Sequence, residues 1–324
     1  MKQFFDLLIA LTVFITAFPA VILLYHLYKN NENNFEKKYP RLIKISTTIL
    51  FLSAILILYG SFVEPKLLIT NYYEIDLPNI NQPIKIVFIA DYQAGKYKQT
   101  IWGEKVADRI ISLKPDMVLL GGDLVDNESY EPEEFDYLEP LRKLTKLYPT
   151  YAVPGNHEYG VSCYKGIYEK CHYNGNVNEE AKQILTDTGI KYLMNGLEKI
   201  TINNSSFYLF GGDEYWAQKL DFENLNKRTE NIPTLALIHN PSFILDNYPN
   251  LDLVLSGHTH GGQIRLPFVG PVGRVDTLLP AKYYQGLQDL NNNKGKILIT
   301  SGVGETGVRA RLFNPPEVVF LTIK

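Results

Sequence analysis

Four of the chain's six histidines fall in three short loops, and two further loops bring aspartates. The five segments are Asp91-Tyr92-Gln93, Gly121-Gly122-Asp123-Leu124-Val125-Asp126, Pro154-Gly155-Asn156-His157-Glu158, His239-Asn240-Pro241 and Ser256-Gly257-His258-Thr259-His260-Gly261-Gly262-Gln263. Taken singly, each has an ordinary explanation: an aspartate after a strand caps a turn, and Pro-Gly-Asn is plain turn chemistry. Taken together, Asp, Asp, Asn-His, His and His-x-His form a mixed nitrogen and oxygen donor set without sulfur. Such a set suits Mn, Fe, Zn or a related divalent ion better than a closed structural zinc site.

Every one of these segments follows an apolar run of strand length. Ile84–Ala90, Met117–Leu120, Thr150–Val153, Leu235–Ile238 and Leu253–Leu255 are predicted strands. Ligands of α/β sheets gather beyond the carboxyl ends of strands, so the placement has a structural reason. Helices are predicted over Thr100–Leu113, Glu133–Lys146 and Glu179–Thr188. Lys199–Ile202 and Phe207–Phe210 form a predicted hairpin about Asn203-Asn204, and Ile297–Thr300 and Val318–Ile323 complete a strand-rich second half. Strands alternating with helices indicate a layered α/β architecture.

In combination the loops resemble the calcineurin-like metallophosphoesterase superfamily, whose pattern runs D-x-H, G-D-x-x-D, G-N-H-D/E, a lone His, then G-H-x-H. The Gly-His-Thr-His-Gly-Gly-Gln string and the Arg311-to-Glu317 stretch resemble its transmembrane branch of YkuE- and YaeI-like enzymes. The resemblance runs from about Val63 to the C-terminus. It implies a layered β-sandwich flanked by helices, holding two divalent ions, Mn foremost and Zn, Fe, Co or Ni open. Carried over by position, Asp91 and His260 bind the first ion, Asp123 bridges, and Asn156, His239 and His258 complete the second site. His157 lies near the phosphate as general acid or transition-state donor, and Asp126 orients the site without ligating. Gln93 departs from the pattern: it stands where the family has His, and its amide oxygen is a weaker donor. Arg309 and Arg311 are candidates either to contact an anionic substrate or to form loop salt bridges, with Arg311 the substrate-binding choice.

Two further runs carry no Asp, Glu, Lys or Arg: Leu7–Tyr28 and Ile45–Val63. Each is long enough to cross a bilayer as a helix, so residues 1–66 read as a membrane anchor and 67–324 as the metallophosphoesterase domain. Pro19 is a candidate kink. Lys29, Lys37, Lys38 and Arg41 crowd between the spans, which places that loop in the cytoplasm and the catalytic domain outside. Net charge is −3 overall; residues 1–66 hold seven Lys/Arg against four Asp/Glu, leaving −6 beyond them. A mildly acidic domain lacks the basic footprint of nucleic-acid binding. Cys163 and Cys171 allow either one local bridge or two free thiols.

The expected partners are the bilayer and a phosphorylated small-molecule or lipid-linked substrate. The resemblance brings in UDP-2,3-diacylglucosamine hydrolysis in lipid A synthesis, although that reaction needs the cytoplasmic face. The alternative is a catalytically weak, metal-binding envelope protein weakened at Gln93.

Overall fold

The computed structural model describes residues 2–29, 38–127, 132–290 and 295–324; Lys37 and the rest of 30–37 in the inter-span loop lie outside the described residues. A helix over Lys2–Tyr28 runs through Pro19 without a break. A second, over Pro40–Leu58, opens with proline at its first position, where the missing N–H costs nothing. It continues through a π-helical turn at Tyr59–Val63 and a 3-10 turn at Glu64–Lys66. The helices pack on each other and turn large apolar side chains outward, Phe14 57% and Ile45 59% exposed among them. Both are long and apolar enough to cross a membrane.

Beyond them lie two six-stranded sheets. The first is ordered β1 (Ile69–Ile75), β16 (Glu317–Ile323), β2 (Ile84–Ile89), β3 (Met117–Leu120), β4 (Thr150–Ala152) and β7 (Lys191–Tyr192). The second is ordered β14 (Gly286–Asp289), β15 (Lys296–Ile299), β11 (Leu253–Ser256), β10 (Thr234–Leu237), β9 (Ser205–Gly211) and β8 (Gly196–Ile202). Two small hairpins stand apart, β5 (Val161–Cys163) with β6 (Cys171–Tyr173), and β12 (Arg265–Leu266) with β13 (Gly270–Pro271). Strands β2, β3, β4 and β7 run parallel, as do β15, β11, β10 and β9.

Side chains alternate across each sheet. Ile84, Ile86 and Phe88 of β2 meet Leu209, Leu235 and Leu255 of the second sheet in the central core. Val87 and Ile89 point the other way, onto Trp102, Val106 and Ile110 of the helix Thr100–Leu113. Burial on both faces is why these strands read as unbroken apolar runs. The stretch predicted as one helix over Glu133–Lys146 is instead three short turns, Glu133–Asp136, Glu139–Leu141 and Arg142–Thr145. Pro140 sits in the middle, where it removes a donor and clashes with the preceding turn.

Candidate metal centre

The strand ends turn sharply. Asp91, Gln93, Asp123, His258, His260 and Gln263 all adopt positive φ, between 49° and 68°. Residues other than glycine rarely do so, and such strain collects where structure holds side chains to a task. The loops also touch closely: a Cβ added to Gly155 would lie 2.2 Å from Asp123 Oδ1. Only glycine allows that approach.

Asp123 lies at the centre. Its Oδ1 accepts from the His157 backbone N–H at 2.9 Å, and its Oδ2 lies 3.1 Å from His239 Nε2. Around it stand two sets of three, Asp91 with Asp123 and His260, and Asp123 with His239 and His258. In each set the potential ligand atoms lie within 4.8 Å of one another. Asp123 belongs to both, the position a bridging carboxylate requires.

Hydrogen bonds behind these atoms aim them. Asn156 Nδ2 donates to Val161 O at 2.9 Å, which turns Oδ1 inward to 2.8 Å from His258 Nδ1 and 3.2 Å from His239 Nε2. His239 Nδ1 lies 2.7 Å from the Gly121 carbonyl, so that nitrogen carries a proton and Nε2 faces the centre, free to ligate once a cation displaces its own proton. Asp91 Oδ2, Gln93 Oε1, His258 Nε2 and His260 Nδ1 are buried with no partner. Buried polar atoms are almost always satisfied. A cluster of orphaned donors and converging lone pairs fits a pair of cations.

Electrostatics agree. Burial pushes the Asp91 carboxyl up to about 7. Burial alone would lower His239, but the carboxylates of Asp123, Asp91 and Glu214 together outweigh it and lift the imidazole to about 10. His258 is pushed down to about 3 by burial, with His239 adding. In the protein alone, protons must offset charge that metal ions would otherwise offset.

The structure thus gathers Asp91, Asp123, Asn156, His239, His258 and His260. Gln93 joins them with Nε2 3.2 Å from Asp123 Oδ2. His157 stands at the rim, its Nδ1 against the Asp126 carbonyl and its Nε2 3.9 Å from Asp123 Oδ2. Asp126 therefore orients His157 through its main chain. Arg311 corrects the substrate-binding expectation. It is fully buried, and its guanidinium donates to the carbonyls of Asn314, Ser301, Gly302 and Gly304, so it serves the backbone inside the fold. Arg309 lies 3.7 Å from Asp6 and stacks over Phe62 and Tyr97.

Three contributors had no role assigned from sequence. Glu158 is fully buried and accepts from the backbone N–H groups of Asp123, Leu124, Val125 and Gly155, clamping two ligand loops together. Trp216 sets its ring edge against His258 at 4.3 Å. It follows Gly211-Gly212-Asp213, a repeat of Gly121-Gly122-Asp123 that could have flagged the loop. Thr306 Oγ1 lies 3.4 Å from His157 Nε2, in a glycine-rich loop after β15.

Asp123, His157, Trp216, His258 and His260 open onto a cavity of about 360 Å³, which Lys165 and Arg274 also line. One wall is the β5–β6 hairpin, closed by a disulfide between Cys163 and Cys171.

Comparison with known proteins agrees with this geometry. The family model described as calcineurin-like phosphoesterase matches residues 84–262. An uncharacterized metallophosphoesterase of Helicobacter pylori is 32% identical over 82% of this chain, which spans 65% of the relative's length. The uncharacterized metallophosphoesterase YkuE of Bacillus subtilis is 26% identical over 82% of this chain and 89% of its own. The phosphodiesterase YaeI of Escherichia coli is 34% identical over 74% of this chain and 82% of its own. The chain belongs to the calcineurin-like phosphoesterase family.

Proposed function

We propose that the protein is a membrane-anchored, dinuclear metal-dependent phosphoesterase, with residues 1–66 as anchor and 67–324 as catalytic domain outside the cytoplasm. The observation that carries this reading is the sharing of Asp123 between two ligand sets, with Asp91 Oδ2, His258 Nε2 and His260 Nδ1 buried there without partners. Asp91 and His260 would hold one ion, Asn156, His239 and His258 the other, and Gln93 would supply its amide oxygen to the first. When bound, such a pair acidifies a water and neutralises the entering and leaving oxygens of the ester.

The chain's own residues do the rest. His157 keeps a proton on Nδ1 against the Asp126 carbonyl and turns Nε2 toward the cavity, where a protonated imidazole can donate to an ester oxygen. Lys165 and Arg274 offer positive charge to an anionic substrate, the role first given to Arg311. The substrate is a phosphorylated small molecule or lipid-linked ester; the relative named a phosphodiesterase supports a diester. Placement outside the cytoplasm draws support from the Cys163–Cys171 bridge, since disulfides persist in oxidising compartments.

The test is turnover of bis(para-nitrophenyl) phosphate by the metal-stripped full chain in detergent, before and after Mn²⁺ is added. Activity should appear with metal and be lost in Asp123→Asn, which should stay folded but bind little metal. Two equivalents of metal and normal turnover in that variant would refute the bridge. Tight metal binding without turnover of any ester would favour the binding-protein reading.

A further inference from the structure

A second cavity, of about 500 Å³, adjoins the metal cavity and shares His260, Arg274, Val275 and Thr306 with it. Ile264, Val272, Val275 and Val308 line it. The Gln263 amide in its wall is satisfied: it donates to Thr306 O at 2.9 Å and Val308 O at 3.2 Å, and accepts from Thr306 N at 2.9 Å. The polar atoms left open, His260 Nδ1 and Arg274 Nε, belong to residues shared with the metal cavity, and the four aliphatic side chains suit an apolar ligand beyond them.

The outer end of the groove is more telling. The β12–β13 hairpin exposes Leu266, Phe268, Val269 and Val272, with Phe268 and Val269 at its tip, and Val308 and Phe313 are half-exposed nearby in sequence to the opposite wall. Clustered exposed apolar side chains mark an interaction surface. Arg265 N donates to Leu312 O, Leu312 N to Gln263 O, and Arg311 N to Gly60 O at the end of the second membrane-length helix. The hairpin is therefore tied, two residues along one segment, to the point where that helix reaches the globular part.

We propose that this groove receives an acyl chain of a bilayer lipid whose phosphoester lies in the metal cavity. The proposal rests on the phosphoesterase reading and narrows its substrate to amphiphiles drawn from the membrane in which the chain is anchored. Arg274, common to both cavities, would lie where head group gives way to chain.

The experiment uses the full chain in phosphatidylcholine vesicles with Mn²⁺ and two probes, para-nitrophenyl methyl phosphate and para-nitrophenyl hexadecyl phosphate. Wild type is compared with Val272→Asp and Val308→Asp, both half-exposed positions outside the ligand set. Vesicle partition of each probe is common to all three proteins, so it cancels. The hexadecyl-to-methyl ratio of kcat/KM should fall about tenfold or more in both variants while methyl diester turnover stays near wild type. An unchanged ratio in folded variants overturns the proposal. A hexadecyl phosphodiester carrying a diazirine in its chain should label residues 264–275 or 306–308. Labelling confined to the two long helices, or competed away by a protein partner, also overturns it. If wild type hydrolyses neither diester, the phosphoesterase reading falls, and the labelling still decides the groove.

Discussion

Gln93 brings a neutral amide to the first-ion side of the centre, and its geometry sets a measurable trait. Its Nε2 faces Asp123 Oδ2 at 3.2 Å while Oε1 is buried without a partner. To ligate, the amide must present that oxygen, and a half-turn of its terminal group exchanges the two atoms. Oxygen donors favour Mn²⁺ and Mg²⁺, whereas an imidazole nitrogen at the same place favours later transition metals. Gln93→His should therefore hold the first ion about tenfold more tightly, about 1.4 kcal/mol, and shift preference toward Zn²⁺, Co²⁺ or Ni²⁺. Titrating both proteins from the metal-free state checks this; identical affinities would place residue 93 outside the coordination shell. Metal affinity should also weaken in acid, because imidazole and carboxylate ligands must shed protons to bind. Each proton displaced makes the apparent constant fall about tenfold per pH unit below its pKa, which titrations at several pH values would detect.

The loops that aim these residues are held together from within by Arg311. It donates to the carbonyls of Ser301, Gly302 and Gly304 while its own N–H reaches Gly60. Arg311→Met keeps much of the volume but leaves several buried carbonyls unpaired, so it should cost about 3 kcal/mol or more. Thermal unfolding in detergent should show that loss, and KM of the folded fraction should stay near wild type. A raised KM with unchanged stability would restore the substrate role. The helix Thr100–Leu113 and the loops after β2, β3, β4, β10 and β11 were legible because apolar periodicity and turn residues mark them locally. The Asn203-Asn204 turn was equally plain, and both residues take the positive φ such hairpins need. Strand β1 escaped notice because it lies at a sheet edge with a mixed burial pattern. Arg311 was misjudged because a buried arginine serving backbone carbonyls looks, in sequence, like an exposed one serving a ligand. Glu158 was visible in its motif, but three of its four backbone partners lie 33 to 35 residues away in another loop, and no local signal reports them.

At the scale of the whole molecule, the globular part grips both long helices by their near ends. Phe5 packs edge-on against Tyr97, and Asp6 pairs with Arg309 near the start of the first helix. At the end of the second, Gly60 accepts from Arg311 N, Glu64 accepts from Asn314 N, and Pro65 O accepts from Lys98 Nζ at 2.7 Å. Asn314 in turn donates to the carbonyl of His260 at 2.7 Å, so the helix end lies one residue from a candidate metal ligand. If both helices cross a bilayer, the N-terminus and the catalytic part must share a side, and Lys29, Lys38 and Arg41 lie at the opposite ends. Positive charge concentrates on the cytoplasmic side, and the Cys163–Cys171 bridge calls for an oxidising one. The two arguments are independent, and both support the proposed orientation. A reporter active only outside the cytoplasm should therefore work when fused after Lys324, and equally when fused ahead of Met1. Activity of a cytoplasm-only reporter at either junction would reverse the placement. It would also leave the two cysteines reduced in cells, which thiol labelling without prior reduction would reveal, and it would return the cytoplasmic lipid A reaction to consideration.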